Sequence, residues 1–269
     1  MEDKQTAQVG VFGGSGFYSF LDKAEKIEVE TPYGSPSDKV VVGTVEGIKV
    51  AFIPRHGSKH DLPPHKINYR ANIYAMKKLG VTQIFGPCAV GSLQPHIKPG
   101  QFVICDQFVD RTKGRIDTFY DGPKTIHVSA AKPYCPRLSR VVSETAQKMG
   151  LQFHDRGTVV VIQGPRFSTK AESKWFSSQG WEVINMTQYP EAYLAREMEI
   201  CYANISLITD YDAGLEDYPE IEPVSSEEII NMFKQNNDKL RELLFKSIPR
   251  AVTERNCICS TALKDAVVN

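Results

Sequence analysis

The chain has 269 residues, 41% hydrophobic and 24% charged, the ordinary make-up of a soluble globular domain. Lysine plus arginine and aspartate plus glutamate each number 32, so no global field recommends nucleic acid or an anionic membrane as a partner. No apolar stretch reaches a membrane span, the N-terminus has no basic-then-apolar leader, and a cytoplasmic location is expected.

In chain order, "VGVFGG" reads as a first strand running into a glycine turn. "VVVGTVEGIKVAFIP" predicts a hairpin turning at Glu46-Gly47. "NYRANIYAMKKLG" predicts a helix, with Ile73, Met76 and Leu79 near helical spacing and Gly80 as its stop. "VTQIFGPCAVGS" reads as strand into loop and "GQFVICDQFV" as one strand. "PRLSRVVSETAQKMG" is a helix with proline at its start and glycine past its end. "GTVVVIQGP", "WEVINM" and "ISLITDYD" are three further strands, with helices at "TKAESKWFSSQG" and "EAYLAREMEI" between them. A long amphipathic helix, "SSEEIINMFKQNNDKLRELLFKSI", closes the domain. Strands alternating with helices predict one doubly wound α/β domain over residues 1–250, an α/β/α sandwich with a central mixed sheet. A tail, 251–269, carries Cys257 and Cys259.

In such sheets ligands gather beyond the carboxyl ends of strands. Six polar clusters fall there: "GGSG", "RHGSKH", "AVGS", "GPRFS", "NMT" and "TDYD". "GGSG" offers backbone N–H groups and the Ser15 hydroxyl, either as a phosphate cradle or as a tight turn. Arg55 can grip a phosphate bidentately, His56 stands beside it, and Thr187 can add a hydroxyl. Asp210 and Asp212, two apart in an extended segment, would share a face. Like charges so placed are costly unless something is bound against them, unless the strand end simply turns into solvent. Phosphate attack on one side, with a carboxyl protonating a departing heterocycle on the other, would use both groups. Phe167 could stack on a planar ring and Met186 could line an apolar sugar face.

His56, His60 and His65 invite a metal reading, but Pro63-Pro64 breaks any helix that would align them, and no metal is expected. Cys88 and Cys105 lie in apolar runs and read as small buried hydrophobes. Cys135 and Cys201 are unassigned. Cys257 and Cys259 have no second Cys/His pair at ligand spacing, so no zinc site is expected; a redox pair or a loose tail remain.

The motifs "GGSG", "RHGSKHDLPPHKINYRANI", "GSL", "DQFVDRT", "GPRFS", "INMT" and "TDYD", in that order, resemble those of the 5′-methylthioadenosine phosphorylases of the purine nucleoside phosphorylase superfamily. The resemblance implies that superfamily's fold and phosphorolysis of methylthioadenosine to adenine and methylthioribose 1-phosphate. Inorganic phosphate would be co-substrate, with no cofactor. It assigns phosphate to Ser15, Arg55, His56, Ala89 through its backbone, and Thr187, with Cys88 where threonine is usual. It assigns the nucleoside to Phe167, Ser168, Met186, Asp210, Tyr211 and Asp212, and catalysis to Asp210, Asp212 and His56. Asp210 would donate to purine N7 and Asp212 accept from the 6-amino group, whereas relatives acting on 6-oxopurines generally carry Asn in place of Asp210. The 5′ pocket would comprise His60, His127 from a neighbouring subunit, Ser226 and Ile229. A serine at 226 would loosen that pocket toward adenosine. The resemblance further implies a homo-oligomer, trimer or hexamer, and disulfides Cys135–Cys201 and Cys257–Cys259 as in heat-adapted archaeal members.

Three other functions stay open at this level. One is a purine nucleoside phosphorylase of broader specificity. A second is a nucleoside-binding protein without chemistry. The third is an NAD(P)-dependent oxidoreductase, drawing on Gly10, Gly13, Gly16 and the pair Tyr74/Lys78. Against the last, Phe17 to Lys26 is too short for the crossover helix and second strand it needs.

Overall fold

Strand β1 (Val9–Gly13) is buried at every residue, as a parallel strand covered on both faces must be. In the computed structural model, which describes residues 6–13, 22–216, 218, 221 and 226–268 with the side chains of 22, 226–235 and 268 excepted, β1 lies parallel to two neighbours. These are β4 (Ile48–Pro54) and β5 (Gln83–Ser92). The expected hairpin is present: β3 (Val40–Val45) pairs antiparallel with β4. Its turn holds Glu46 at φ 47° and Gly47 at φ 81°, the left-handed pair that matches strand twist in a two-residue hairpin. On the outer side of β3 runs β2 (Asp22–Ile27), which "DKAEKI" did not announce. Lys23, Glu25 and Lys26 are exposed there, charges that discourage a further strand from adding at the edge.

The helices start and stop where their end residues say. In α1 (Tyr69–Lys78) the Asn68 side chain accepts the Ala71 N–H, and Gly80 at φ 84° follows the last turn. Pro136 opens α2 (Pro136–Lys148), and a full capping box, Thr169 with Glu172, opens α3 (Lys170–Ser178). The remaining helices are α4 (Gln188–Glu197) and α5 (Ser226–Ala251). Ile73 and Met76 of α1 and Leu194 and Ala195 of α4 share one core cluster; Leu138 and Val142 of α2 and Leu243, Leu244 and Ile248 of α5 share another. Alternate residues of β1 reach both clusters, Phe12 the first, Val9 and Val11 the second. This is the expected α/β/α sandwich.

The stretch expected as one strand over 100–109 is two. Strand β6 (Phe102–Val103) pairs with β9 (Phe153–His154) and β12 (Cys201–Tyr211), whereas β7 (Gln107–Arg111) pairs with β10 (Thr158–Ile162). The chain bends between partners, and the freed Cys105 N–H is taken by the Asn204 side chain at 3.3 Å. The tail does not hang loose. Within it β13 (Val267–Val268) pairs with β8 (Thr125–Ile126), and Cys259 is buried in the second core cluster.

The sheet divides at β5. One edge of β5 is paired along its whole length with β12. Its other edge pairs with β1 at residues 83–85 and antiparallel with β11 (Val183–Asn185) at residues 91–92. Between them, residues 86–90 meet no strand of the described residues on that side. The Gly86 and Pro87 carbonyls are taken by side chains instead, Gln188 Nε2 at 3.2 Å and Arg55 Nη1 at 3.3 Å. Close packing also needs the glycine, because a Cβ on Gly86 would fall on the Tyr202 hydroxyl. Gly86→Ala should therefore cost about 1–3 kcal/mol by overpacking. In urea unfolding this would appear as a lower midpoint with an unchanged slope, and an unshifted midpoint would refute it.

Candidate active site

A cavity of about 1290 Å³ opens at that division, larger than a typical small-ligand pocket. It is lined by Gly13 at the end of β1, Arg55 and His56 after β4, Cys88 to Gly91 on the split strand, and Met186 and Thr187 after β11. Asp210 and Asp212 come from the end of β12. Phe167 also lines the cavity while 78% exposed, a large ring presented to solvent at its wall. Of the six expected clusters, "GGSG" beyond Gly13, with Ser15, lies outside the described residues. The other five each contribute residues to the lining.

The two aspartates reach the same cavity because alternation holds between them. A bulge between Ile208 and Asp210 precedes the pair and leaves Thr209 with an Oγ1 at 2.6 Å from Asp210 Oδ1. Water reaches Asp210 through the cavity, yet the surrounding protein pushes its carboxyl up from the usual range. Thr209 opposes that shift and the charge of Asp212 adds to it. Asp212 is buried, and the Ser168 hydroxyl sits 2.8 and 2.6 Å from its two oxygens. Ser168 thus reaches the site through Asp212 and does not line the cavity. Tyr211 does not line it either. Alternation turns it to the opposite face, where its hydroxyl meets the Pro95 carbonyl at 3.4 Å, contrary to its expected place against a nucleoside.

On the anion side, the expected fork of Arg55 is already occupied. Nε and Nη2 donate to the two oxygens of Glu191 at 2.6 and 2.7 Å. With Nη1 on Pro87, two of the five N–H donors remain. Burial pulls the guanidinium pKa down, but the charge and hydrogen bonds of Glu191 outweigh it and hold it above its ordinary value. The carboxylate also accepts from the Tyr202 hydroxyl at 2.5 Å. His56 Nδ1 lies 2.8 Å from the Leu62 carbonyl; a carbonyl only accepts, so Nδ1 carries the hydrogen and Nε2 is the free nitrogen. Burial and the charges of Arg55 and His60 hold His56 below its usual pKa. Its ring stacks on His60 at 4.8 Å between centroids. Thr187 is buried, and its side chain makes no capping bond to α4. Ala89 is exposed toward the cavity. The Cys88 thiol contacts the protein wall: Asn185 Nδ2 at 3.3 Å, Asn204 Nδ2 at 3.4 Å and Ser206 Oγ at 3.6 Å.

The chain matches the Phosphorylase superfamily over residues 8–249. The chain belongs to that family. A purine nucleoside phosphorylase of Streptomyces coelicolor is 49% identical over 98% of this chain and 96% of its own. An S-methyl-5′-thioadenosine phosphorylase of Thermofilum pendens is 48% identical over 98% and 100%. Among solved structures, a methylthioadenosine phosphorylase from an antarctic soil metagenomic library superposes with TM-score 0.93 at 40% identity, covering 98% of this chain and 93% of the other.

Several groups that shape this phosphorylase cavity escaped the sequence reading. Glu191 is one. Arg115 is another: it donates to the carbonyls of Tyr189 at 2.5 Å, Gln163 at 2.9 Å and Met186 at 2.9 Å. It thereby ties together the ends of β10 and β11 and the start of α4. Neither residue belongs to a local motif that marks it. The helix α5 adds Asn237, Asp238, Leu240 and Arg241 to the lining. The expected Ser226 and Ile229 stand on the same helix, but their side chains are outside the described residues. His60 lines the cavity; His127 does not, and is exposed just after β8. Tyr74 and Lys78, the suspected reductase pair, point elsewhere: Tyr74 packs edge-on against Tyr33 and Lys78 Nζ meets the Glu30 carbonyl at 3.1 Å.

All six cysteines carry free thiols, so the two expected disulfides are not formed. The metal expectation also needs correction in its premise. His56, His60 and His65 form no ligand group among the described residues. Cys257 and Cys259, which lack a partner pair nearby in sequence, are joined in space by Cys135 and Cys201.

Proposed function

We propose that the chain catalyses phosphorolysis of 5′-methylthioadenosine, releasing adenine and 5-methylthioribose 1-phosphate. The observation that carries this reading is one cavity with two carboxylates, Asp210 and Asp212, on its wall together with Arg55, His56 and Thr187. The near-full-length identity to named S-methyl-5′-thioadenosine phosphorylases supports the same substrate. Phosphate oxygen attacks C1′ as the C1′–N9 bond breaks through an oxocarbenium-like state. Asp210 gives its proton to N7, so the base leaves as neutral adenine. Asp212, oriented by Ser168, accepts from the 6-amino group. Phosphate takes the remaining N–H donors of Arg55, the Thr187 hydroxyl and the Ala89 backbone, and its own proton faces the free Nε2 of His56. Because Arg55 and Glu191 together are neutral, phosphate is held by placed donors more than by net charge. Phe167 stacks on the purine and Met186 lies against the ribose.

Inorganic phosphate is co-substrate, and the reading calls for no other group. His127, exposed and away from the cavity of its own chain, fits a role in a neighbouring subunit's 5′ pocket and hence a trimer or hexamer. No described helix is long and apolar enough to cross a membrane, which agrees with a cytoplasmic enzyme. A second reading, a purine nucleoside phosphorylase of wider range, draws on the Streptomyces relative. Adenine release from methylthioadenosine with and without phosphate, beside adenosine and inosine, separates them. Strict phosphate dependence with inosine inert is expected. Turnover of inosine would favour the second reading, and release without phosphate would make the enzyme a hydrolase and overturn the anion site.

A further inference from the structure

Away from the cavity, three chain segments bring four sulfurs together. Cys135 stands immediately before α2, its N–H bonded to the Tyr202 carbonyl at 2.8 Å. Cys201 is the first residue of β12, its N–H bonded to the Thr82 carbonyl at 3.0 Å. Cys257 caps, and Cys259 lies within, a short 3-10 turn, Ile258–Thr261, of the tail. Backbone hydrogen bonds thus fix the two cysteines that belong to the sheet and helix layers, and the tail delivers the other two. All four Sγ atoms lie within 4.8 Å of one another, and Cys201 and Cys257 are 3.4 Å apart. Three of the residues are buried and Cys257 is half-buried. None lines the active-site cavity.

Four thiolates around a tetrahedral zinc ion, with Zn–S near 2.3 Å, stand about 3.8 Å from each other. The cluster already approaches that spacing, with its sulfurs gathered as a group of four and not as two closed pairs. The surroundings also suit the charge. A dication held by four thiolates carries a net charge of about −2. Two arginines flank the cluster in sequence and in space. Arg137 follows Cys135 by two residues and reaches the thiols of Cys201 and Cys257, and Arg255 precedes Cys257 by two and acts electrostatically on Cys201. Each has a buried Nε with no hydrogen-bond partner, although their other nitrogens are bonded: Arg137 to Gln83, Ala251 and Thr253, Arg255 to Glu199. Buried donors without partners beside a sulfur cluster are the outer groups that tetrathiolate sites use.

We infer that Cys135, Cys201, Cys257 and Cys259 form a closed tetrathiolate site for a divalent cation of the zinc class. All four positions are protein ligands, so the ion is structural and not catalytic. It pins the tail to the start of α2 and the start of β12. The family match ends at residue 249, so half of the ligand set comes from chain beyond it.

The test uses the full-length protein purified anaerobically with no added reductant, so that the cysteines keep the state in which they are isolated. Elemental analysis should find about one zinc per chain. Exchange into cobalt(II) should give the sulfur-to-metal charge-transfer and visible bands of a tetrahedral tetrathiolate. Cys257→Ser/Cys259→Ser should lose the metal and the cobalt bands and lower the melting temperature, while kcat on methylthioadenosine stays within twofold of the unaltered enzyme. Should that variant fail to fold, the cobalt spectrum of the unaltered protein decides alone. Four free thiols with no bound metal after incubation with excess zinc would overturn the site. So would two disulfides in the protein as isolated, read as a loss of four titratable thiols and no zinc, or a tightly held iron in place of zinc.

Discussion

Asp210→Ala should lower kcat on methylthioadenosine by about 10²–10⁴-fold, the usual worth of a placed general acid, with KM within a fewfold of the unaltered enzyme. The expectation rests on where the carboxyl stands. Partial desolvation by the surrounding cavity wall, augmented by the charge of Asp212, raises its pKa, so the protonated form persists to higher pH than for a free aspartate. The protonated form is the active one in the proposed step. Activity attributable to it is therefore full below the raised pKa and falls as pH rises through it. In Asp210→Asn the amide cannot titrate, and that alkaline limb should vanish from the kcat profile. The same amide can donate both to N7 and toward a 6-carbonyl, so this variant should shift preference toward inosine. Steady-state kinetics on the two nucleosides across pH would check all three outcomes. Near-normal turnover in Asp210→Ala would remove this residue from the chemistry.

Glu191→Ala should destabilise the fold by about 3–5 kcal/mol, because it strands a buried guanidinium without its counter-charge. Arg55 is 3% and Glu191 0% exposed, so water cannot take over the lost bonds. In a chain of this size the loss corresponds to a fall in melting temperature on the order of ten degrees. The double replacement Arg55→Met/Glu191→Leu removes both charges together and should recover most of that stability, since apolar substitutes for a buried pair are often neutral or better. It should nonetheless have little phosphate-dependent turnover, having lost the Arg55 donors. Thermal unfolding and adenine-release rates on the same three proteins separate the two roles. A double variant as unstable as the single would show that the pair acts through shape and not through charge. A fully active double variant would remove Arg55 from the phosphate site.

Asp210 and Asp212 show how far the chain could be read without coordinates. Their spacing on an apolar strand placed both side chains on one face, and the structure keeps them on one cavity wall. The same alternation turned Tyr211 away, a consequence of period two that a motif carried over as a block concealed. The divided expectation at 100–109 has a tertiary cause: β6 and β7 answer to different partner strands, and no local pattern records a change of partner. Similarly, the charged segment of β2 carries no apolar alternation to announce a strand, because an edge strand needs no buried face to be held by its neighbour.

By itself the sequence determined the order and type of the main elements, their caps and turns, and which strand ends carry polar groups. These depend on hydrophobic period and on the backbone preferences of Gly, Pro, Asn and Thr, which act over a few residues. Only the tertiary structure decided that β5 exchanges β1 for β11 along one edge and so opens the cavity. It alone also paired Arg55 with Glu191 across 136 residues, tied the cavity loops to Arg115, and drew Cys135 and Cys201 to the tail cysteines. Each of these joins groups distant in the chain, where burial removes water as the competing partner and makes a matched partner in space necessary.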